Sequence, residues 1–374
     1  MDKFSNSTKI RDKKSNSLVK VLPKMYRDEL IRHCKDTIWH ISKKEIINYP
    51  VPKVFGDKIP GAISQFNKRM VLDEPFVCEL EDILLSGEYP TAITNESKTI
   101  NESTIYTTPP INAEEFVRGT KNKVIHNYTY AFSLVNSKNK NYYHWIIERL
   151  PLLEGYEFYV KQKKIKPKII IHKNLTPWQK DSLRAIGYNE NDCMGWDNKN
   201  SQVKKFIISS MRRFAKQKDV PWDTLSPSSC KWIRKRILQY YKLPTNPKKG
   251  VEKIYISRSN SPDRKVLNED AVFKFLKQQG FKKYYLEELT FEEQVRLFSK
   301  ADIIVAPHGA GLTNILWAPK TTKVFEIMSK NYPRSDYFQI SNALGIKYAL
   351  FICNDITRDH DISVNLTFFK EFIK

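Results

Sequence analysis

In the second half of the chain, short apolar runs alternate with stretches of helical period. Ile254-Tyr255-Ile256-Ser257, Lys283-Tyr284-Tyr285-Leu286 and Asp302-Ile303-Ile304-Val305-Ala306 have the length and β-branched or aromatic content of buried parallel strands. Between them, Asn268 caps a helix that Gly280 ends, and Thr290 to Glu293 forms a capping box that opens another helix running to Lys300. The pattern is densest in Lys300 to Ile327, KADIIVAPHGAGLTNILWAPKTTKVFEI, which reads as strand, glycine turn, short helix and second strand.

The turn in that stretch is the expected chemical centre. Pro307 ends the strand. His308-Gly309-Ala310-Gly311 then offers two glycines free to take positive φ and bring bare backbone close to a ligand. Leu312-Thr313-Asn314 opens a helix whose first N–H groups lack intrahelical partners, an end that attracts phosphate. Open α/β sheets bind nucleotides at such strand–turn–helix junctions. A tight turn around a buried histidine would read the same way, and neither GxGxxG nor GxxxxGK[ST] occurs in the chain.

The first half repeats the pattern less regularly. Residues 1–20 are polar and expected to be disordered. Leu18 to Ile47 has loosely helical apolar spacing, and the proline-rich YPVPKVFGDKIPG must be extended or turning. Residues 70–135 alternate apolar runs with turn residues, as in Phe76-Val77-Cys78, Thr104-Ile105-Tyr106 and Tyr128 to Val135, suggesting an appended sheet. Lys168 to His172 is a strand, Thr176-Pro177 starts a helix that Gly187 caps, and Lys205 to Ser209 is a further strand, together a βαβ unit. Pro221 to Pro227 reads as a linker and Ser228 to Tyr241 as a basic helix.

Within NYYHWIIERLP, Asn141 is an N-cap and Pro151 a terminator, so His144 and Glu148 share one helical face. An imidazole and a carboxylate so placed form a general base with its partner, two metal ligands, or an intrahelical pair.

Composition narrows the picture. The chain has 374 residues, enough for two domains, and its 41% hydrophobic content is that of a globular protein. No apolar run is long enough to span a membrane and the polar start lacks the core of a signal peptide, so a cytoplasmic location is expected. The five cysteines are scattered without CxxC spacing, which indicates neither a disulfide framework nor a zinc site. Sequons such as Asn95-Glu96-Ser97 and Asn127-Tyr128-Thr129 are those an Asn- and Ser-rich chain makes by chance. The net charge of +22 draws anions of any kind. No compact basic helix or RNP-like strand points to nucleic acid, whereas the clusters at Lys161 to Lys168 and Lys231 to Arg236 suit peripheral contact with an anionic membrane.

Taken together, YISR, Arg264, NED, EELTFEEQ, ADIIVAPHGAGLTN and KVFEI, with the upstream NYYHWIIERLPLL, resemble glycosyltransferase family 61 over about residues 75 to 350, with a bacterial or viral capsule-type member expected. The resemblance implies an α/β chain of GT-B type, with two Rossmann-like domains facing a cleft and an N-terminal extension. On this reading residues 1–20 are a tail, 21–225 an acceptor-side domain and 226–374 a nucleotide-sugar-binding domain whose last helix packs back on the first. It implies inverting transfer of a sugar from a nucleotide diphosphate sugar to a hydroxyl of a glycan or lipid-linked acceptor, in surface polysaccharide biosynthesis. Glu148 is then the base and His144 its orienting partner. Arg258, Arg264 and the Gly309 to Asn314 segment (Gly309, Ala310, Gly311, Leu312, Thr313, Asn314) hold the diphosphate, His308 touches the phosphate or the sugar, and Glu326 meets ribose hydroxyls. Glu287 matches a family acid and is read as structural. No cofactor is required, although a divalent cation is compatible with the scheme; the D-x-D of Asp359-His360-Asp361 lies outside the resembling region and is not assigned to a metal. A non-catalytic nucleotide-sugar- or glycan-binding protein and a basic nucleic-acid-binding protein are the alternatives.

Overall fold

The computed structural model describes residues 8–11, 18–104, 124–138, 140–213, 221, 223–245 and 250–373. The β-branched runs of the second half form a six-stranded parallel sheet in the order Lys282–Tyr284, Glu252–Ile256, Ala301–Pro307, Lys323–Ser329, Lys347–Cys353 and Lys53–Phe55. The strands are apolar on both faces because helices cover both sides, as all-parallel sheets require. Capping follows the sequence signals. Thr290 Oγ1 accepts from Glu293 N at 3.3 Å while Glu293 Oε2 accepts from Thr290 N at 2.8 Å, opening the helix Phe291–Ser299. Gly280 closes the helix Glu269–Gln278 at φ +85°, where a side chain would be strained.

The last strand of this sheet comes from early in the chain. Lys53–Phe55 pairs parallel with Lys347–Cys353, so part of the stretch assigned to the first domain is built into the second sheet. The last helix, Leu366–Ile373, meets that strand, with Phe372 and Phe55 ring centroids 5.0 Å apart. Phe372 also lies 5.0 Å from Phe325, so the helix covers the second sheet rather than the body of the first.

The first sheet is mixed. Cys193–Trp196, Lys168–His172, His126–Ser133 and Ser201–Ser209 run parallel, and Phe76–Ser86 then pairs antiparallel with Ser201–Ser209. Of residues 70–135, Phe76–Ser86, Thr91–Ile93, Thr99–Ile100 and His126–Ser133 therefore belong to this sheet and not to an appended one, while Met70–Leu72 pairs with Glu45–Ile47. The crossover helix Pro177–Ile186 joins Lys168–His172 to the short strand Cys193–Trp196, while His126–Ser133 lies between Lys168–His172 and Ser201–Ser209. Thr176 caps that helix, and Gly187 ends it at φ +104°, as the letters suggest.

Between Leu18 and Ile47 only Arg27–His33 is helical; the remainder is short strands, including Ile38–His40 paired with Phe76–Ser86. Edge pairing overrides the weak helical period there. Of the tail expected to be disordered, Thr8–Arg11 forms an antiparallel ladder with Leu18–Val21. The expected strand Thr104-Ile105-Tyr106 lies outside the described residues apart from Thr104, which closes the short helix Asn101–Thr104.

Helices from the two halves share one apolar core. Trp145, Ile146, Leu150 and Ile186 pack in the same cluster as Phe291, Leu316, Trp317 and Ile340, with Ile233 and Ile237 of the basic helix Pro227–Tyr240 among them. Asn314 ties this core together. It is fully buried, its Oδ1 accepting from Tyr142 Oη at 2.6 Å and Trp317 Nε1 at 2.9 Å, its Nδ2 donating to Gln294 Oε1 at 2.9 Å. No helix of the described residues is long and apolar enough to cross a membrane.

Asn314→Leu should therefore cost about 3 kcal/mol, because it leaves buried donors on Tyr142 and Trp317 without an acceptor. Tyr142→Phe should cost only about 1 kcal/mol. The shift in urea midpoint at unchanged slope measures both.

Candidate active site

The strand order of the second sheet reverses between Glu252–Ile256 and Ala301–Pro307. Ligands of open α/β sheets bind in the crevice beyond the carboxyl ends of the strands at such a reversal. The residues that follow these two ends are Ser257-Arg258 and His308-Gly309.

Arg258 lies flat against Gly309. A Cβ at Gly309 would fall 2.1 Å from Arg258 Nη1, so any side chain there would displace the guanidinium from its place. The expected positive φ is not the reason for either glycine. Gly309 has φ 178°, ordinary extended backbone, and a Cβ at Gly311 would fall 2.6 Å from Leu286 Cδ1. Close approach, not left-handed backbone, requires both.

The guanidinium of Arg258 is held from one side. Nη2 donates to Asp263 Oδ1 at 2.7 Å and to the Asp263 carbonyl at 3.0 Å, while the buried Nε has no hydrogen-bond partner. Burial and the neighbouring Arg264 charge push its pKa below the ordinary arginine value, against the pull of Asp263. Arg264 Nε is likewise buried and without a hydrogen-bond partner. Arg264 and Arg334 both lie over the ring of Tyr332, at 5.2 and 4.5 Å. Three arginines thus converge beyond the strand ends, a concentration of positive charge suited to a diphosphate.

Of the turn segment, Ala310 and Gly311 are partly open, whereas the side chains of Leu312, Thr313 and Asn314 are buried. The helix Ala310–Trp317 is 3₁₀, and Leu312 N already donates to Gly309 O at 2.9 Å. The tighter closure uses N–H groups that an α-helix would leave free. The N–H donors expected through Asn314 thus narrow to the start of the segment.

His308 and Glu326 come together, in a way the spacing did not suggest. His308 Nδ1 lies 2.5 Å from Glu326 Oε1, and Tyr348 Oη donates to Glu326 Oε2 at 2.6 Å. Glu326 is fully buried with both oxygens engaged, so it anchors His308 instead of reaching a ribose. Glu287 is exposed in the short turn Leu286–Glu288. In the D-x-D, Asp361 Oδ1 accepts from Lys265 N at 2.8 Å and the Asp359 carbonyl accepts from Arg264 N at 3.0 Å, so the pair shapes the loop that carries Arg264. Among the described residues no group of three His, Cys, Asp or Glu side chains is placed to hold a metal.

Facing this crevice is the helix of His144 and Glu148. Asn141 caps it, accepting from His144 N at 3.2 Å. Trp145–Arg149 is a π turn, with Leu150 N donating to Trp145 O at 3.0 Å. Pro151 follows directly, and a widened turn relieves the clash its ring would make with an α-helical carbonyl. His144 Nδ1 lies 2.9 Å from Glu148 Oε1, an ion-pair contact without hydrogen-bond geometry. Glu148 is only 3% exposed, whereas the His144 side chain keeps 19% of its surface open.

Two residues that the sequence reading missed complete the site. Arg213 Nη1 donates to Glu148 Oε1 at 3.1 Å and Nη2 to Asp336 Oδ1 at 2.5 Å, with the guanidinium 4.9 Å over Tyr143. Burial alone would raise the Asp336 pKa, but Arg213, His308 and Arg334 together hold it below the usual aspartate range. Rings link the two sides: Tyr337 lies 6.0 Å from Tyr143 and 5.1 Å from His308. The available signal was position. Arg213 follows the strand Ser201–Ser209, and Asp336 follows Lys323–Ser329, both past carboxyl ends.

The family model described as Glycosyltransferase 61 matches residues 142–325, which include His144, Glu148, Arg213, Arg258 and His308 but stop short of Glu326 and Asp336. The EGF domain-specific O-linked N-acetylglucosamine transferase of Gallus gallus is 33% identical over 107 residues, covering 27% of this chain and 20% of that protein. The protein of the same name from Drosophila melanogaster is 29% identical over 129 residues, 33% of this chain and 24% of that one. The Beta-1,2-xylosyltransferase of Arabidopsis thaliana is 36% identical over 70 residues, 18% of this chain and 13% of that one. The chain thus spans about a quarter or less of the length of these relatives. They are animal and plant enzymes and lend no support to a capsule-type origin.

Gly309→Ala should displace Arg258 and weaken pyrophosphate binding about tenfold or more, the scale of one charge-assisted hydrogen bond. Because both changes act through one guanidinium, the Gly309→Ala/Arg258→Ala double variant should bind no worse than Arg258→Ala in calorimetry. Asp336, with its lowered folded pKa, contributes stability above the unfolded value near 4 that is lost as pH falls through the folded value. Asp336→Asn should flatten the acid limb of stability against pH, followed by thermal melts between about pH 2 and 6.

Proposed function

We propose that the protein is an inverting glycosyltransferase of GT-B arrangement, moving a sugar from a nucleotide diphosphate sugar to a hydroxyl of a glycan or lipid-linked acceptor in surface polysaccharide biosynthesis. The observation that carries this reading is the opposition of two half-sites. On one side, Arg258 is pressed on the Gly309 turn at the strand-order reversal, with a buried N–H that has no acceptor. On the other stands the His144–Glu148 pair. The glycosyltransferase family match over residues 142–325 contains both and supports the same chemistry.

The transfer is a single displacement. The acceptor hydroxyl loses its proton to the His144–Glu148 pair as its oxygen attacks the anomeric carbon; the bond to the diphosphate breaks, and its electron pair leaves with the nucleotide. The exposures favour His144 as the atom that meets the hydroxyl. Glu148, buried behind it and held by Arg213, then orients the imidazole and balances the imidazolium. This exchanges the roles that the family resemblance implies. Arg258, Arg264 and the amides at the start of the Ala310–Trp317 helix take up the charge on the leaving diphosphate. His308, fixed by Glu326, stands beside them. In this proposal the enzyme works in the cytoplasm against an anionic membrane, which its charge of +22 favours.

A thermal-shift screen of nucleoside diphosphates and nucleotide sugars identifies the donor, since a ligand that binds only the folded state raises its melting temperature. With that donor, His144→Gln and Glu148→Gln should each lower kcat by about a hundredfold or more, the scale of general-base catalysis, with nucleotide affinity nearly unchanged. Wild-type turnover in either variant would remove that residue from the proton path. Arg258→Ala should instead weaken nucleotide binding, and unchanged affinity would remove Arg258 from the donor site.

A further inference from the structure

A second concentration of positive charge lies away from the crevice. The helix Pro227–Tyr240 presents Lys231, Arg234, Lys235 and Gln239 to an open cavity of about 290 Å³ that Thr245, Ala318, Lys320 and Leu344 also line. Lys320 lies between the end of the Ala310–Trp317 helix and the start of the strand Lys323–Ser329. The cavity is therefore at the amino edge of the second sheet, opposite the edge that carries Arg258 and His308.

Arg234 is the unusual member. It is 9% exposed, and its guanidinium donates to two carbonyls, those of Leu316 and Thr245, the latter at 3.0 Å. No carboxylate among the described residues pairs with it, and burial alone pushes its pKa down to about 10. A buried guanidinium with only neutral partners keeps its whole charge in a poorly solvated place, which is costly unless an anion joins it. Among the described residues the lining adds three ammonium groups and no acid, so every charge it carries is positive.

We propose that this cavity is a binding site for a phosphate or diphosphate group, separate from the donor crevice. The chemistry selects that class. Arg234 gives planar donors at the floor, and Lys231, Lys235 and Lys320 give mobile point charges at the rim. The volume lies at the small end of ligand sites, and the described lining residues include no aromatic ring to stack a base, which disfavours a nucleoside. Such a group reaches the site either on a free phosphorylated solute or as the headgroup of a lipid. In the second case the helix Pro227–Tyr240 turns this face toward the bilayer.

The test uses the full chain carrying Arg258→Ala, so that the crevice does not mask the second site. Inorganic pyrophosphate is titrated calorimetrically into this protein, into the same protein with Lys231→Glu and Lys235→Glu, and into a control with Lys274→Glu and Lys277→Glu. The control changes net charge equally on the exposed face of the helix Glu269–Gln278. Pyrophosphate should bind the parent and the control alike and the pocket variant at least tenfold more weakly. Equal weakening in both charge-reversed proteins, or no binding to the parent, overturns the proposal. Sedimentation with phosphatidylcholine vesicles, with and without phosphatidic acid, separates the sources. Loss of phosphatidic-acid-dependent binding in the pocket variant alone assigns a lipid headgroup, and equal binding by all three proteins assigns a soluble phosphate. None of these measurements depends on sugar transfer, so their failure leaves the proposed activity standing.

Discussion

One buried guanidinium joins the two halves at the point where they meet the crevice. Arg213 takes Glu148 from the first half with one nitrogen and Asp336 from the second with the other, and stacks on Tyr143. A buried charge of this kind is tolerable only when its partners are in place, because removing either carboxylate leaves an uncompensated ion. The interaction therefore constrains position more than it adds stability. It holds the His144–Glu148 helix at a set distance from Tyr337 and, through it, from His308.

The half-site of Arg258 and the Gly309 turn depends on a different constraint, the lack of side chains. Gly309 admits Arg258 and Gly311 admits Leu286, both through contacts closer than any Cβ allows. The turn is shaped to let a large cation lie against the end of the strand. Tyr332 then aligns Arg264 and Arg334 from separate loops, and Glu326 with Tyr348 locks His308. The half-site is rigid where it meets the sheet, and the buried Nε atoms of Arg258 and Arg264 are donors left without a hydrogen-bond partner.

Much of the second sheet was legible because its signals are local. Capping boxes, terminal glycines and β-branched runs act over a few residues, and Gly280 and Thr290 sit where those rules put them, as Thr176 and Gly187 do on the crossover helix of the first sheet. The first sheet was less legible because its antiparallel half is assembled from distant pieces. Phe76–Ser86 and Ser201–Ser209 are paired by register, not by neighbourhood, and Lys53–Phe55 crosses to the far edge of the other sheet. Nothing in the local letters of those strands states their partner.

The same division holds for the site. The sequence by itself determined the residue types and the places where they could act: a glycine turn after a strand, an arginine at another strand end, and a histidine four residues before a glutamate. These follow from backbone geometry, which a short stretch of chain encodes. Only the tertiary structure decided what each residue does there. It buried Glu326 against His308 and Tyr348, turned Asn314 into a core hydrogen-bond hub, and joined Glu148 through Arg213 to Asp336, the start of a helix far along the chain. Burial and charge pairing depend on what folds alongside a residue, and those neighbours are set by the packing of two sheets and the helices between them.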